Sequence, residues 1–125
     1  MAFEVQTIID GHRNVVVKVT GIDTDTGIAV DVSALAPSCT RVNIDRLWFV
    51  CASGQTAQIM WDATVDVLAV GLAGNSEDMD FTKFGGLTNN AGAGVTGDIQ
   101  VNGVGVGNFT IILHCSKHGI IDPEL

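Results

Sequence analysis

Apolar side chains recur at alternate positions along most of this chain, which is the period of a β-strand and not of a helix. The alternating segments are separated by short stretches rich in Gly, Asp and Asn, which tolerate the backbone angles of tight turns. Seven strands are predicted on this basis, at residues 3–9, 15–20, 28–35, 41–52, 56–62, 66–72 and 109–115, with a weaker eighth at 96–101. Turns at 11–14 and 53–54 predict two hairpins.

Short strands with regularly spaced turns, and no segment of sustained helical period, predict an all-β fold of two packed antiparallel sheets. We expect a single jelly-roll-like β-sandwich over residues 1–125. A small closed barrel would show the same alternation and is the alternative.

The predicted core is centred on the strand at 41–52. Four of its apolar residues have the same parity: Val42, Ile44, Trp48 and Val50. The next strand alternates in the same way through Ile59 and Trp61. Trp48, Ile59 and Trp61 are therefore expected to lie in the core.

Residues 75–107 are rich in glycine, but the run MDFTKF at 79–84 also places apolar side chains between polar ones, at Met79, Phe81 and Phe84. Alternation and aromatic residues favour ordered structure over a disordered linker. We expect a long ordered loop region at 75–107 and a terminal tail at 119–125, both reaching neighbouring subunits.

Fourteen acidic residues against six basic ones give a formal net charge of −8, which repels nucleic acid and anionic lipid. No apolar run approaches the length of a membrane span. Only 16% of the residues are charged, and the mean hydropathy is +0.36. We expect no direct nucleic-acid or membrane binding, and we expect spare apolar surface that meets another protein chain.

The first eleven residues lack a basic stretch followed by an apolar one, so no signal peptide is expected. The three cysteines, Cys39, Cys51 and Cys115, are odd in number and lack CxxC spacing. They are interpreted as reduced thiols in the core. The fold is expected to need neither a disulfide nor a metal.

Three histidines, His12, His114 and His118, are the candidates for a general base or a zinc ligand. His114 and His118 are four apart, a spacing that is expected to bring them to one face only on a helix, whereas the segment is predicted as a strand leaving the domain. His114 and Cys115, as neighbours on a strand, point to opposite faces, which argues against a nucleophilic pair.

Acidic residues give two weaker possibilities. Asp23, Asp25 and Gly27 resemble the start of a calcium loop, but Ala34 stands where the closing Glu would be, so an Asx-turn is preferred. Asp62 with Asp66, or the acids at 77–80, would act as a glycosidase pair only if they met in a cleft. Motifs such as GxSxG and GxxxxGK are absent, so no enzyme activity and no cofactor are expected.

Several runs carry a resemblance to a known class of protein: WDAT at 61–64, MDFTKFGGL at 79–87 and NNAGAGVTGDI at 89–99, with residues 3–19 and 41–48 similar as well. They resemble small structural proteins of tailed-bacteriophage virions. The resemblance most readily implies a head decoration (cement) protein, often a trimer, that braces the major capsid protein on the outer lattice.

The expected partners are the major capsid protein or other virion proteins and further copies of this chain, and the expected location is the virion. The residues expected at the interface are Phe81, Phe84, Leu87, Ile120 and Ile121. A tail or adaptor subunit remains open, and so does a coat protein, although the N-terminal segment has no basic arm. A carbohydrate-binding module is the alternative of another class, but it needs exposed aromatic side chains.

Overall fold

The structure is a computed structural model that describes residues 3–73 and 76–121. Nine strands form it: β1 (Glu4–Asp10), β2 (Asn14–Ile22), β3 (Thr26–Val30), β4 (Cys39–Cys51), β5 (Gln55–Trp61), β6 (Val67–Leu72), β7 (Ser76–Asp80), β8 (Ile99–Gly105) and β9 (Asn108–Ile120). Two single-turn 3-10 helices lie at Val32–Ala34 and Thr82–Phe84. No helix within the described ranges is long and apolar enough to cross a membrane.

The strands form two antiparallel sheets. The five-stranded sheet has the order β1-β2-β9-β4-β7, and the four-stranded sheet has the order β3-β8-β5-β6. Strands β2 to β9 follow the pattern of a jelly roll, in which each successive strand passes to the other sheet except at the β5–β6 hairpin, and β1 is added outside β2. The protein is therefore an all-β, jelly-roll-like antiparallel sandwich, as the strand pattern predicts.

One continuous apolar core fills the space between the sheets. Its largest fully buried side chains include Trp61, Phe109, Ile44, Leu47 and Ile59. The long central strands β4 and β9 pair with each other along most of their length, from Cys39 opposite Ile120 to Cys51 opposite Phe109. Burial of alternate side chains on both sheets explains why the period of two is clear in the sequence.

A β-bulge in β4 corrects the predicted face of Trp48. Ile44 pairs with Cys115 and Arg46 pairs with the next residue, His114, so Asp45 is an extra residue in β4. Ile44 points into the core before the bulge, and Leu47 does so after it. The shared parity of Val42, Ile44, Trp48 and Val50 therefore does not place them on one face: the first two are buried, and the last two are exposed.

Other predicted elements differ in extent or pairing. The predicted third strand ends at Val30, because Asp31 accepts the backbone amide of Ser33 at 3.1 Å and begins a 3-10 turn. The hairpin at 11–14 is confirmed by β1 and β2, but the one at 53–54 is wrong, since that turn carries the chain from one sheet to the other. The region 75–107 contains β7 and β8, and the predicted weak strand at 96–101 is seen as β8.

The C-terminal segment continues the sheet. β9 runs to Ile120 and does not leave the domain after residue 115, and the amide of Ile121 donates to the carbonyl of Ser38 at 2.8 Å. The remainder of the predicted tail, 122–125, lies outside the described residues.

Candidate functional site

The three cysteines do not form a reactive centre. All are free and buried, as predicted. Burial raises the pKa of each thiol, most strongly that of Cys115. Because the thiolate is the nucleophilic form, a raised pKa disfavours covalent catalysis.

The three histidines lie outside the buried core that holds the cysteines. His12 is in the β1–β2 turn, while His114 and His118 lie on the outward side of β9. The expectation that spacing four brings these two to one face only on a helix is wrong, because every second residue of a strand shares a face. They are about 13 Å apart along the strand, which is too far for one zinc ion.

The Asp23 and Asp25 carboxylates are used within the loop that joins β2 to β3. Asp25 Oδ2 accepts the amide of Ile22 at 3.0 Å, and Asp23 Oδ1 accepts the amide of Gly107 at 2.9 Å. The buried Gln55 side chain donates to the carbonyls of Asp23 and Gly107, at 2.7 and 2.8 Å. These bonds favour the loop-forming role over a calcium site.

The carboxylates of the first proposed pair, Asp62 and Asp66, are engaged in hydrogen bonds. Asp62 accepts the hydroxyl of Thr96 at 2.8 Å, and Asp66 accepts the amide of Ala63 at 3.0 Å. Across residues 3–73 and 76–121, no group of three or more His, Cys, Asp or Glu side chains is placed to hold a metal ion. The remaining candidates for a functional site among the described residues are therefore the outer surfaces of the sheets.

The outer face of the five-stranded sheet carries an apolar surface across its centre. Trp48 lies opposite Ile112, and Val50 lies opposite Thr110. Trp48 is 36% exposed and Val50 57% exposed. We call these four residues, Trp48, Val50, Thr110 and Ile112, the Trp48 face. They line a groove of about 320 Å³ together with Ser76, Glu77 and Asp78 of β7.

An ion pair holds one side of the Trp48 face. Arg46 binds Asp78 through two hydrogen bonds, of 3.1 Å from Nε and 2.7 Å from Nη2. The same guanidinium lies over the Trp48 ring, 4.9 Å from its centroid. The hydrogen bond from Arg46 lowers the pKa of Asp78, so this carboxylate is ionised at neutral pH.

The edge strand β7 gives this side of the molecule a negative charge. Its sequence is SEDMD, with no basic residue, and it pairs with β4 on one side only. Hydrogen bonds from the side chain and amide of Thr82 lower the pKa of Asp80. Within the described part of the chain, neither Glu77 nor Asp80 is within ion-pair distance of a basic side chain.

Sequence reasoning missed this surface because it assigned Trp48 to the core. The sequence does contain one sign of this surface, because Arg46 and Trp48 are two residues apart and therefore share a strand face. Placing that face outward and opposite the acidic residues requires the position of the bulge and the pairing of β4 with β7. The parity of Trp61 was correct, since Trp61 is 1% exposed.

The five predicted interface residues lie in two places. Phe81 precedes the 3-10 turn after β7 and Phe84 ends it, with ring centroids 6.1 Å apart, and Phe84 is 66% exposed. Leu87 forms an isolated antiparallel β-bridge with Ile44. The side chains of Phe81, Leu87 and Ile120 are partly buried and pack against the core. Ile121 is exposed. Their role at an interface stays a prediction.

No protein-family model matches the chain, and no curated protein matches it. The fold is similar to that of a cupin domain from Bordetella pertussis Tohama I, at 11% identity and a TM-score of 0.41 over 94% of each chain. It is also similar to peruvianin-I, a cysteine peptidase from Thevetia peruviana latex, at 8% identity and a TM-score of 0.43, over 96% of this chain and 69% of that one.

A third similar structure is an RmlC-like cupin protein from Desulfovibrio desulfuricans, at 11% identity and a TM-score of 0.35, over 90% of this chain and 81% of that one. At these identities and TM-scores the similarities carry no argument about function.

Proposed function

We propose that this protein is a structural subunit of a tailed-bacteriophage virion, most readily a head decoration protein that binds the outer capsid lattice. The runs at 61–64, 79–87 and 89–99 are the sequence basis of the proposal. The observation that supports it most is the Trp48 face, an apolar surface on the outside of the five-stranded sheet. Exposed apolar surface of this kind favours association with another protein.

The distribution of charge is consistent with the outer side of a capsid. A net charge of −8 gives no attraction to a packaged genome and favours contact with protein. The proposed partner is the major capsid protein, and the proposed assembly is a homotrimer located in the virion. A closed trimer would bury part of the apolar surface and give several contacts per lattice site.

The test combines solution mass with particle binding. Light scattering should give the mass of a trimer, and the trimer should bind particles that lack it and raise the temperature at which they release DNA. A monomer that neither binds these particles nor changes their stability would contradict the decoration role. Binding only to tails would favour the tail or adaptor alternative.

The exposure of Trp48 also favours a second candidate, carbohydrate binding, because an exposed indole ring can stack on a sugar. One face of the ring is already covered by Arg46, which leaves less surface for stacking. Glycan-array binding that is lost in Trp48→Ala would support this candidate. A folded Trp48→Ala variant with unchanged glycan binding would contradict it.

A further inference from the structure

The free edge of β7 differs in charge from the other free edges of the sandwich. Among the residues that the structure describes, four strands lie at sheet edges: β1, β3, β6 and β7. An edge strand presents unpaired backbone amides and carbonyls that can bind another extended segment. β7 has three acidic residues among five, whereas β6 has the uncharged sequence VLAVGL.

We propose that β7 binds an extended basic segment of a different protein as an added strand. Main-chain hydrogen bonds to the free edge would supply affinity, and a Lys or Arg side chain on the inner side of the added strand would pair with Glu77, which lies opposite Phe49. A β7 strand of five residues is about 17 Å long, so five to seven residues of the partner would span it. The inference deepens the proposed function and rests on it only for the identity of the partner.

Charge complementarity selects a foreign partner over a second copy. Two β7 strands side by side would bring acidic residues together, which repels. Within residues 3–73 and 76–121, the other edge strands, β1, β3 and β6, contain no Lys or Arg, so the described part of a second copy has no basic edge strand to offer. The net charge of −8 adds to the repulsion between copies.

The Trp48 face gives the added segment an apolar contact as well. Asp78 lies opposite Trp48, and Ser76 lies opposite Val50. Because Ser76 is small, a long side chain from the outer face of an added strand passes over it into the groove that Val50 and Ile112 line. The preferred segment therefore alternates basic and aliphatic residues.

The probe is a synthetic nonapeptide of alternating Lys and Val with blocked ends, titrated into the full chain by calorimetry. A matched Glu and Val peptide controls for composition, and a version N-methylated at alternate residues keeps the charges but loses main-chain donors. We expect the Lys and Val peptide to bind with a Kd below about 1 mM and to slow hydrogen exchange at β7 amides. The two control peptides should bind at least about tenfold more weakly.

Glu77→Lys and Glu4→Lys form the variant pair, because both change one exposed acid on an edge strand of the same sheet by the same charge. Glu77→Lys should weaken peptide binding about tenfold or more, and Glu4→Lys less than about twofold. Equal weakening in both variants, equal binding of the N-methylated peptide, or no binding at all would overturn the inference. Quenching of Trp48 fluorescence by a neutral hexasaccharide, with no quenching by the peptide, would also overturn the inference.

The peptide assay contains no particle, so the two proposals fail separately. Peptide binding at β7 by a chain that does not bind capsids would keep the edge site and overturn the virion role. If the Glu77→Lys variant binds capsids as tightly as the unchanged protein does, the edge site is not the capsid contact, and the virion role is kept.

Discussion

The Lys117 side chain is buried near the C-terminal end of β9, and its removal tests how the fold satisfies a buried charge. Its side chain is 0% exposed, and Nζ donates to Asp10 Oδ1 at 2.8 Å and to the carbonyl of Pro37 at 2.8 Å. Asp10 Oδ2 also accepts the amide of Ala36 at 2.9 Å. The pair therefore joins β1, β9 and the β3–β4 connection.

The two single variants should differ in cost. Asp10→Ala leaves a buried ammonium with one carbonyl partner, and removing one partner of a buried ion pair costs about 3–5 kcal/mol. Asp10 is 26% exposed, so water can enter where its carboxylate was, and we expect the lower end, about 3 kcal/mol. Lys117→Met leaves a carboxylate that water already reaches, and we expect about 1 kcal/mol.

The pair should also produce a pH dependence below about pH 4. Burial alone raises the pKa of Asp10, but the Lys117 hydrogen bond, the Ala36 amide and the Lys117 charge outweigh it, so the pKa lies below its ordinary value of 3.8. A lowered folded-state pKa stabilises the fold above the unfolded-state pKa, and this stabilisation is lost as the pH falls through the folded-state value. Lys117→Met should reduce or reverse this dependence.

The assay is urea unfolding followed by tryptophan fluorescence and circular dichroism at pH 7 and at steps from pH 5 to pH 2. Glu4→Ala, an exposed change on the same strand as Asp10, is the control and should alter the free energy of unfolding by less than about 0.5 kcal/mol. A cost for Lys117→Met equal to or greater than that of Asp10→Ala would refute the reasoning. So would an unchanged acid dependence in Lys117→Met.

Three further predictions concern the core and the backbone. Trp61→Ala should cost about 3–5 kcal/mol in urea unfolding and Trp48→Ala about 1 kcal/mol, because only Trp61 is buried; similar costs would contradict the bulge in β4. The three cysteines should resist a thiol reagent in the native protein and all react in urea, and rapid native labelling would contradict their burial. Gly97→Ala should cost more than about 2 kcal/mol, because the added Cβ meets the Thr40 carbonyl at a positive φ. Gly85→Ala, at a similar φ but in open space, should cost about 1 kcal/mol, and equal costs would show that the Thr40 contact is unimportant.

Most of the strands could be predicted from sequence because one side of each sheet is buried against the other. That arrangement imposes alternation on β2, β5 and β9, and the predicted segments at 15–20, 56–62 and 109–115 lie within or beside them. β7 was less clear, because an exposed acidic edge strand has little apolar alternation to detect.

The candidate site was not predicted, for a local reason. One extra residue in β4 reverses the direction of every later side chain in that strand, and a single sequence shows no sign of it. The partners of Arg46 and Lys117 were equally hidden, since Asp78 and Asp10 are distant in the chain and meet only through strand pairing.

The sequence by itself determined the all-β class, the approximate strand positions, the buried reduced cysteines and the acidic surface charge, because these depend on local periodicity and composition. The tertiary structure alone decided the strand order, the outward direction of Trp48 and the buried position of Lys117. These features depend on strand register and on contacts between segments that are distant in the chain. Burial of apolar side chains between the sheets selects the register and the contacts, and no short window of sequence contains them.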